Sequence, residues 1–417
     1  MGASARSGQQ PCTFIRGRMI TDGHVVEDGL LAFGGDRITY AGPAGGADTT
    51  DWTGHEVPAG SVLLPGLTDT HCHGARGGDF TSGSADEIRT AVDYLHRSGT
   101  TTLLASTVTA PRPELLGAME RLAPLAHEGL IAGIHAEGPF LSPVRSGAHE
   151  RAHLSAPDPD LAGDLLEASR GQLRSMTYAA ELEGADGLVD WLTLHGVIPS
   201  LGHTDCDAAT AAASLARARE GMSPAGPGGY AGRPTVTHLF NAMPPCHHRS
   251  PGPVAACLRA AKAGQVVVEL IADGVHLDPQ TVLTVFELVG AGNVALVSDS
   301  CAATGCPDGR YMLGGREVLV SGGVARLDGT LAGGTATLLD VLRRTAAAGV
   351  PLVDAVTAAT AVPASVLGLA DEAGSLHPGY TADVVVATAS LELAAVLRQG
   401  RWLPAPPSDL RHRRPGA

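Results

Sequence analysis

Residues 61–73 read SVLLPGLTDTHCH: a short apolar run, a Pro-Gly step, then His71 and His73 two positions apart. In a strand, residues i and i+2 face the same way, so both imidazoles leave its end on one side. Seven further β-type runs follow: TTLLAST (101–107), LIAGIHAE (130–137), LRSMTYAAE (173–181), GVIPSLGH (196–203), TVTHLF (235–240), VVVELIAD (266–273) and NVALVSD (293–299). Ala/Leu-rich helical stretches such as ADEIRTAVDYLHRSG and PELLGAMERLAPLAHEG separate most of them. Strand and helix in eightfold alternation predict an α/β protein, a (β/α)8 TIM barrel over residues 61–370. A Rossmann sheet would use fewer strands, and no GxGxxG opens a helix after the first one. Outward from the barrel, residues 11–60 and 375–405 are short, β-like and glycine-punctuated, and they predict a small β-sandwich domain built from both chain termini. Residues 1–10 and 406–417 read as mobile tails.

Composition removes whole classes of function. The chain of 417 residues is 44% apolar, enough for a sizeable core, and no apolar run approaches the roughly 18 residues of a membrane span. With 29 basic and 43 acidic residues the net charge is −14, which argues against nucleic acid or an anionic membrane as partner. Lys262 is the only lysine, in LRAAKAGQ at an expected helix end. A Schiff base, a Walker-type phosphate loop or a carboxylated-lysine metal bridge would each have to use it. The seven cysteines are scattered without a CxxC, and MGASARSGQQP has no apolar stretch behind its arginine. Both features predict a reducing, cytoplasmic location.

With 17 histidines, chance alone supplies roughly 0.7 HxH patterns, so position carries the signal. The third run ends in His135-Ala136-Glu137, the fifth in Gly202-His203-Thr204, the sixth in Thr237-His238-Leu239 and the eighth in Ser298-Asp299-Ser300. Together with His71 and His73, candidate ligands close five of the eight runs, at the rim where barrel enzymes place their chemistry. Imidazole and carboxylate at one open site suit zinc or a similar divalent ion. Glu137 is the natural carboxylate ligand and could bridge two ions. Asp299, on the last strand, is placed to take a proton from an activated water and return it to a leaving group. No GxSxG elbow is present, and no cysteine has placed His and Asp partners.

Ordered blocks between about residues 60 and 385 carry a resemblance: LPGLTDTHCHG, HAEGPFLSPVRSGAH, SLGHTDCDA, THLFNAMPPCHHRSPG, IADGVHLDP, LVSDSCAATG and PASVLGLADEAGSLHPGYTADVVV. In these the chain resembles the N-acetylglucosamine-6-phosphate deacetylases of the amidohydrolase superfamily. The resemblance implies one metal on Glu137, His203 and His238, and a second on His71 and His73, a pair that some members replace. It implies one or two divalent ions per subunit: zinc, with iron, cobalt or manganese as alternatives. Asp299 matches the acid/base and His149 a histidine that polarises the substrate carbonyl. Ala148, Asn241, Ala242, Arg249, His276 and the Leu331-Ala332-Gly333 turn match substrate-binding positions. A sugar phosphate needs local positive charge in so acidic a chain, and with lysine nearly absent Arg249 is the obvious source. In the family that arginine reaches the adjacent subunit's site, which implies a homodimer. Gly334 stands where the family has serine, and Ala180 where it tends to have proline. Other readings are an N-acetylgalactosamine-6-phosphate deacetylase, another amidohydrolase acting on an N-acyl substrate, and a non-catalytic sugar-phosphate sensor.

Overall fold

The computed structural model describes residues 12–226 and 232–406. Apart from Pro406, the tails expected at 1–10 and 406–417 lie outside them. Eight strands form one parallel sheet in sequential order: Leu67–Cys72, Thr100–Thr107, Gly133–Glu137, Leu173–Tyr178, Ile198–Leu201, Thr235–Val236, Val267–Leu270 and Val294–Leu296. The sheet closes between its last and first members, where Asp299 N donates to His71 O (2.9 Å) and His73 N to Ser300 O (2.7 Å). Below that seam, buried Asp69 accepts from Ser298 Oγ (2.6 Å), and burial pushes its carboxyl up to about 6. One helix follows each strand, from Ala85–Arg97 to Leu338–Ala347, as a (β/α)8 barrel requires.

The first helix shows why the sequence folds this way. Ser84 and Glu87 form a capping box at its start, and Ile88, Ala91, Val92 and Leu95, at helical spacing, are buried against the barrel. Inside the barrel, a chain of hydroxyls holds His135, with Ser106 Oγ on Nδ1 (2.9 Å) and Thr177 Oγ1 on Nε2 (2.8 Å). Both ring nitrogens are thus engaged below the rim, and His135 stands apart from the metal-ligand candidates.

Strands from both ends of the chain build a second, eight-stranded sheet, in which Val62–Pro65 lies between Thr13–Thr21 and Val384–Ala387. It curls around a core of its own that includes Ile15, Met19, Leu31, Phe33, Val384, Val386 and Leu397. The alternate residues Ile20, Val62, Leu64 and Val385 pack on the barrel instead. The run SVLLPGLTD therefore divides between two sheets. Gly66 is the crossing point: a Cβ there would lie 2.0 Å from Thr101 Oγ1 and 2.9 Å from Asp383 Cβ, so only glycine lets the chain pass.

A third unit was not anticipated. Gly309–Leu313, Arg316–Ser321, Val324–Leu327 and Thr330–Leu331 form an antiparallel meander between the eighth strand and its helix. Gly314-Gly315 and Gly322-Gly323, all with positive φ, turn its first two hairpins. Glycine pairs flanked by alternating apolar residues were the available signal.

Candidate active site

The rim at the C-terminal ends of the strands gathers the titratable side chains into one cavity of about 220 Å³. Three of them sit on left-handed backbone at strand ends: His203 (φ 46°), His238 (φ 28°) and Asp299 (φ 46°). That region is unfavourable for residues with a Cβ, so the surrounding structure must hold each of these turns in place.

Glu137 is the centre of the group. Its Oε1 lies 3.1 Å from His203 Nε2 and 3.0 Å from His238 Nε2, while its Oε2 faces His73 Nε2 (3.3 Å) and His149 Nε2 (3.2 Å). His71 Nε2 and His73 Nε2 are 3.0 Å apart, at 3.6 and 3.2 Å from Asp299 Oδ1. All are buried.

The far sides of the rings determine what the near sides can do. His71 Nδ1 faces Glu269 (3.2 Å), His73 Nδ1 the carbonyl of Ser106 (3.2 Å) and His203 Nδ1 the carbonyl of Arg145 (2.8 Å). Each partner is an acceptor, so each Nδ1 carries the hydrogen and each neutral ring turns an Nε2 lone pair to the centre. The Nε2 lone pairs of His71, His73 and His203, converging with the carboxylate oxygens of Glu137 and Asp299, fit a divalent cation.

His149 is built the other way round. The backbone N–H of Thr109 donates to its Nδ1 (3.2 Å), so Nε2 carries the hydrogen and points inward as a donor. Although His149 Nε2 lies near Glu137 and His203, this tautomer separates it from the ligands. Burial drives its pKa down to about 4, which leaves it neutral at pH 7.

Electrostatics agrees with a cation site. Burial opposes charge on His71, but Glu137, Glu269 and Asp299 outweigh it and raise its pKa well above the usual histidine range. His73, likewise opposed by burial, is raised to about 9 by Asp299 and Glu137. Asp299 is held at about 2 against burial by His73 and His71, so it is ionised at neutral pH. A field that draws protons onto two imidazoles favours a divalent ion in their place.

Asn241, Ala242, Ala148, His276, Leu331 and Gly333 line the cavity. His276 Nδ1 is fixed by Asp273 Oδ2 at 2.8 Å. Ala332 turns away into the meander's core. Arg249 does not reach the cavity of its own chain; it lies on an exposed loop beside His248 (2.7 Å). No arginine or lysine is among the residues lining that cavity. Lys262 is the exposed last residue of the helix Gly252–Lys262. Sequence reasoning missed Glu269, Thr109 and the meander residues Leu313 and Thr330. A lone glutamate in the apolar run VVVELIAD was the signal for the first; nothing local marked Thr109. At Gly334 a Cβ would lie 2.4 Å from Ser298 O, which accounts for glycine there.

Comparison with known proteins places the chain. Residues 62–403 match the model of the Amidohydrolase family. N-acetylglucosamine-6-phosphate deacetylase of Bacillus subtilis is 34% identical over 83% of this chain and 85% of its own. N-acetylgalactosamine-6-phosphate deacetylase of Escherichia coli O157:H7 is 32% identical over 82% and 87%. The structure of a variant N-acetyl-D-glucosamine-6-phosphate deacetylase from Mycobacterium smegmatis, in complex with N-acetyl-D-glucosamine-6-phosphate, superposes with a TM-score of 0.86 at 36% identity, covering 95% of this chain and all of that one. The chain belongs to the amidohydrolase family.

Proposed function

We propose that the protein is a metal-dependent deacetylase that hydrolyses N-acetyl-D-glucosamine 6-phosphate to D-glucosamine 6-phosphate and acetate, in amino-sugar catabolism. The observation that carries this reading is the opposed imidazole tautomers around Glu137: ligand nitrogens from His71, His73 and His203, and a donor N–H from His149. Glu137, His203 and His238 would hold one ion; His71 and His73, with Asp299, would hold a second, and Glu137 reaches both groups. When bound, the metal polarises the acetamide carbonyl and brings the pKa of water towards neutrality. Zinc suits this donor set, with iron, cobalt or manganese as alternatives.

The chain's own groups do the rest. Asp299, ionised and 7% exposed, takes the proton of the attacking water on a carboxylate oxygen and passes it to the departing amine. His149 donates from Nε2 to the carbonyl oxygen as it gains charge. Ala148, Asn241, Ala242, His276 and, from the Leu331-Ala332-Gly333 turn, Leu331 and Gly333 position the sugar. The phosphate needs a cation that the cavity's own lining does not provide, and Arg249 of a second subunit is the proposed source, so the working form is a homodimer. Location in the cytoplasm accords with seven cysteines scattered along the chain without a CxxC. No helix of the described residues is long and apolar enough to cross a membrane.

Acetate release by metal-loaded protein tests this reading. Turnover of N-acetylglucosamine 6-phosphate that collapses on chelation and returns with zinc, iron, cobalt or manganese supports it. Equal turnover of unphosphorylated sugars or N-acyl amino acids would remove Arg249 from the phosphate-binding role. The E. coli relative keeps the galacto epimer as a second reading, and comparing the two phosphorylated epimers separates them. Sugar-phosphate binding without any acetate release would point to a sensor.

A further inference from the structure

We infer that Glu269 is the residue that makes His71 a metal ligand, and so decides whether the His71–His73–Asp299 group takes an ion. This rests on reading that rim as a metal site.

Glu269 lies in the seventh barrel strand, Val267–Leu270, and is only 4% exposed. Its Oε2 is 3.2 Å from His71 Nδ1, and its Oε1 accepts from Thr70 Oγ1 at 3.1 Å. The backbone N–H of His238 also donates to Oε2, at the longer distance of 3.4 Å. Among the described residues its one ion-pair partner is His71. A carboxylate taken out of water at such cost needs a partner that rewards its charge.

His71 is that partner. A carboxylate accepting from Nδ1–H fixes the hydrogen there, aims the Nε2 lone pair at the site and makes the ring more electron-rich. His73 and His203 have only backbone carbonyls behind them, and His238 Nδ1 has no partner. Among these imidazoles, His71 alone is backed by a charge. The ion that Glu137, His203 and His238 would hold meets Glu269 only through the weak contact to the His238 backbone. Glu269 is thus a positioning residue for one of the two proposed ions, and its removal should separate them.

The test strips the purified protein with a chelator and titrates it with zinc, reading stoichiometry by elemental analysis and affinity by competition with a chromogenic chelator. The parent is expected to take up two ions. Glu269→Gln should keep the first and bind the second roughly 10–100-fold more weakly. In a His71→Ala background, adding Glu269→Gln should change nothing further. Nitrogen NMR of the zinc-loaded parent should show His71 protonated on Nδ1 and metallated on Nε2, and this decides the matter should the variant not fold. A second ion held as tightly in Glu269→Gln as in the parent would overturn the inference. So would a parent that takes one ion, the same loss with and without His71, or the opposite tautomer. None of these readouts uses a sugar. A failure to release acetate would remove the proposed reaction and leave the role of Glu269 standing.

Discussion

Asp299 shows how one residue is prepared by its surroundings. It leaves the eighth strand in left-handed backbone, its N–H tied to His71 O and its own carbonyl accepting from Gly334 N (2.6 Å). The side chain is thereby aimed at His73 rather than along the strand. Asp299→Asn keeps the shape and loses the ability to take a proton. The ion that Glu137, His203 and His238 would hold should remain, by elemental analysis, while turnover falls roughly 10²–10⁴-fold. Near-normal acetate release would remove Asp299 from the acid/base role. What the sequence showed of this site was the position of the residues at strand ends. The tautomers were not legible, because the groups that impose them, Thr109 on His149 and Glu269 on His71, lie 40 and 198 positions away in the chain.

At the scale of elements, two joints matter. Arg316 of the meander donates to the carbonyl of Ala148 (3.1 Å) and pairs with Glu150 (3.3 Å), which ties the meander to the loop carrying His149. The ion pair is partly exposed and worth about 1 kcal/mol. Arg316→Gln should therefore lower kcat/KM by roughly 3–10-fold with unchanged metal content, and an unaltered kcat/KM would show that the tie is idle. The second joint lies where the first barrel helix, Ala85–Arg97, contacts the terminal sheet. There Arg398 donates to the carbonyls of Thr101 and Gly129. Burial, with Arg398 adding repulsion, drives the nearby His96 down to about 3. The unfolded chain takes up this proton below about pH 6.5 and the folded chain only near 3, so stability is lost as pH falls between those values. The loss is about 2 kcal/mol by roughly pH 5. His96→Leu should flatten the fall of Tm between pH 7 and 5, and an unchanged slope would exclude His96 as its source. The run SVLLPGLTD has the pattern of one strand, because periodicity cannot show that a chain changes sheets. The contacts of Gly66 with Thr101 and Asp383 reveal it.

For the whole molecule the open quantity is charge. A protein of net −14 whose cavity lining has no arginine or lysine must bring positive charge to a phosphate from elsewhere. If Arg249 completes the site of a second subunit, two inactive variants can repair one another. Arg249→Ala and Asp299→Asn, mixed and allowed to exchange subunits, form hybrids with one intact site in each. Activity should recover to roughly a quarter of the parent's, as expected for random pairing in a twofold dimer. No recovery, with subunit exchange verified by mass, would place Arg249 in its own subunit's chemistry or outside it.

The sequence by itself determined the barrel and the rim. Eight apolar runs alternating with helices admit few architectures, and parallel strands bring their C-terminal ends to one face, so polar residues closing those runs must meet there. It also determined the family resemblance, through blocks that the comparisons bear out. Only the tertiary structure decided which nitrogen of each histidine is a lone pair and which a donor. The same holds for the path of the chain at Gly66, the meander over the site and the isolation of Arg249 from its own cavity. Each of these depends on contacts between residues far apart in the chain. Strand and helix periods describe what a segment buries, not which group from another strand stands behind it.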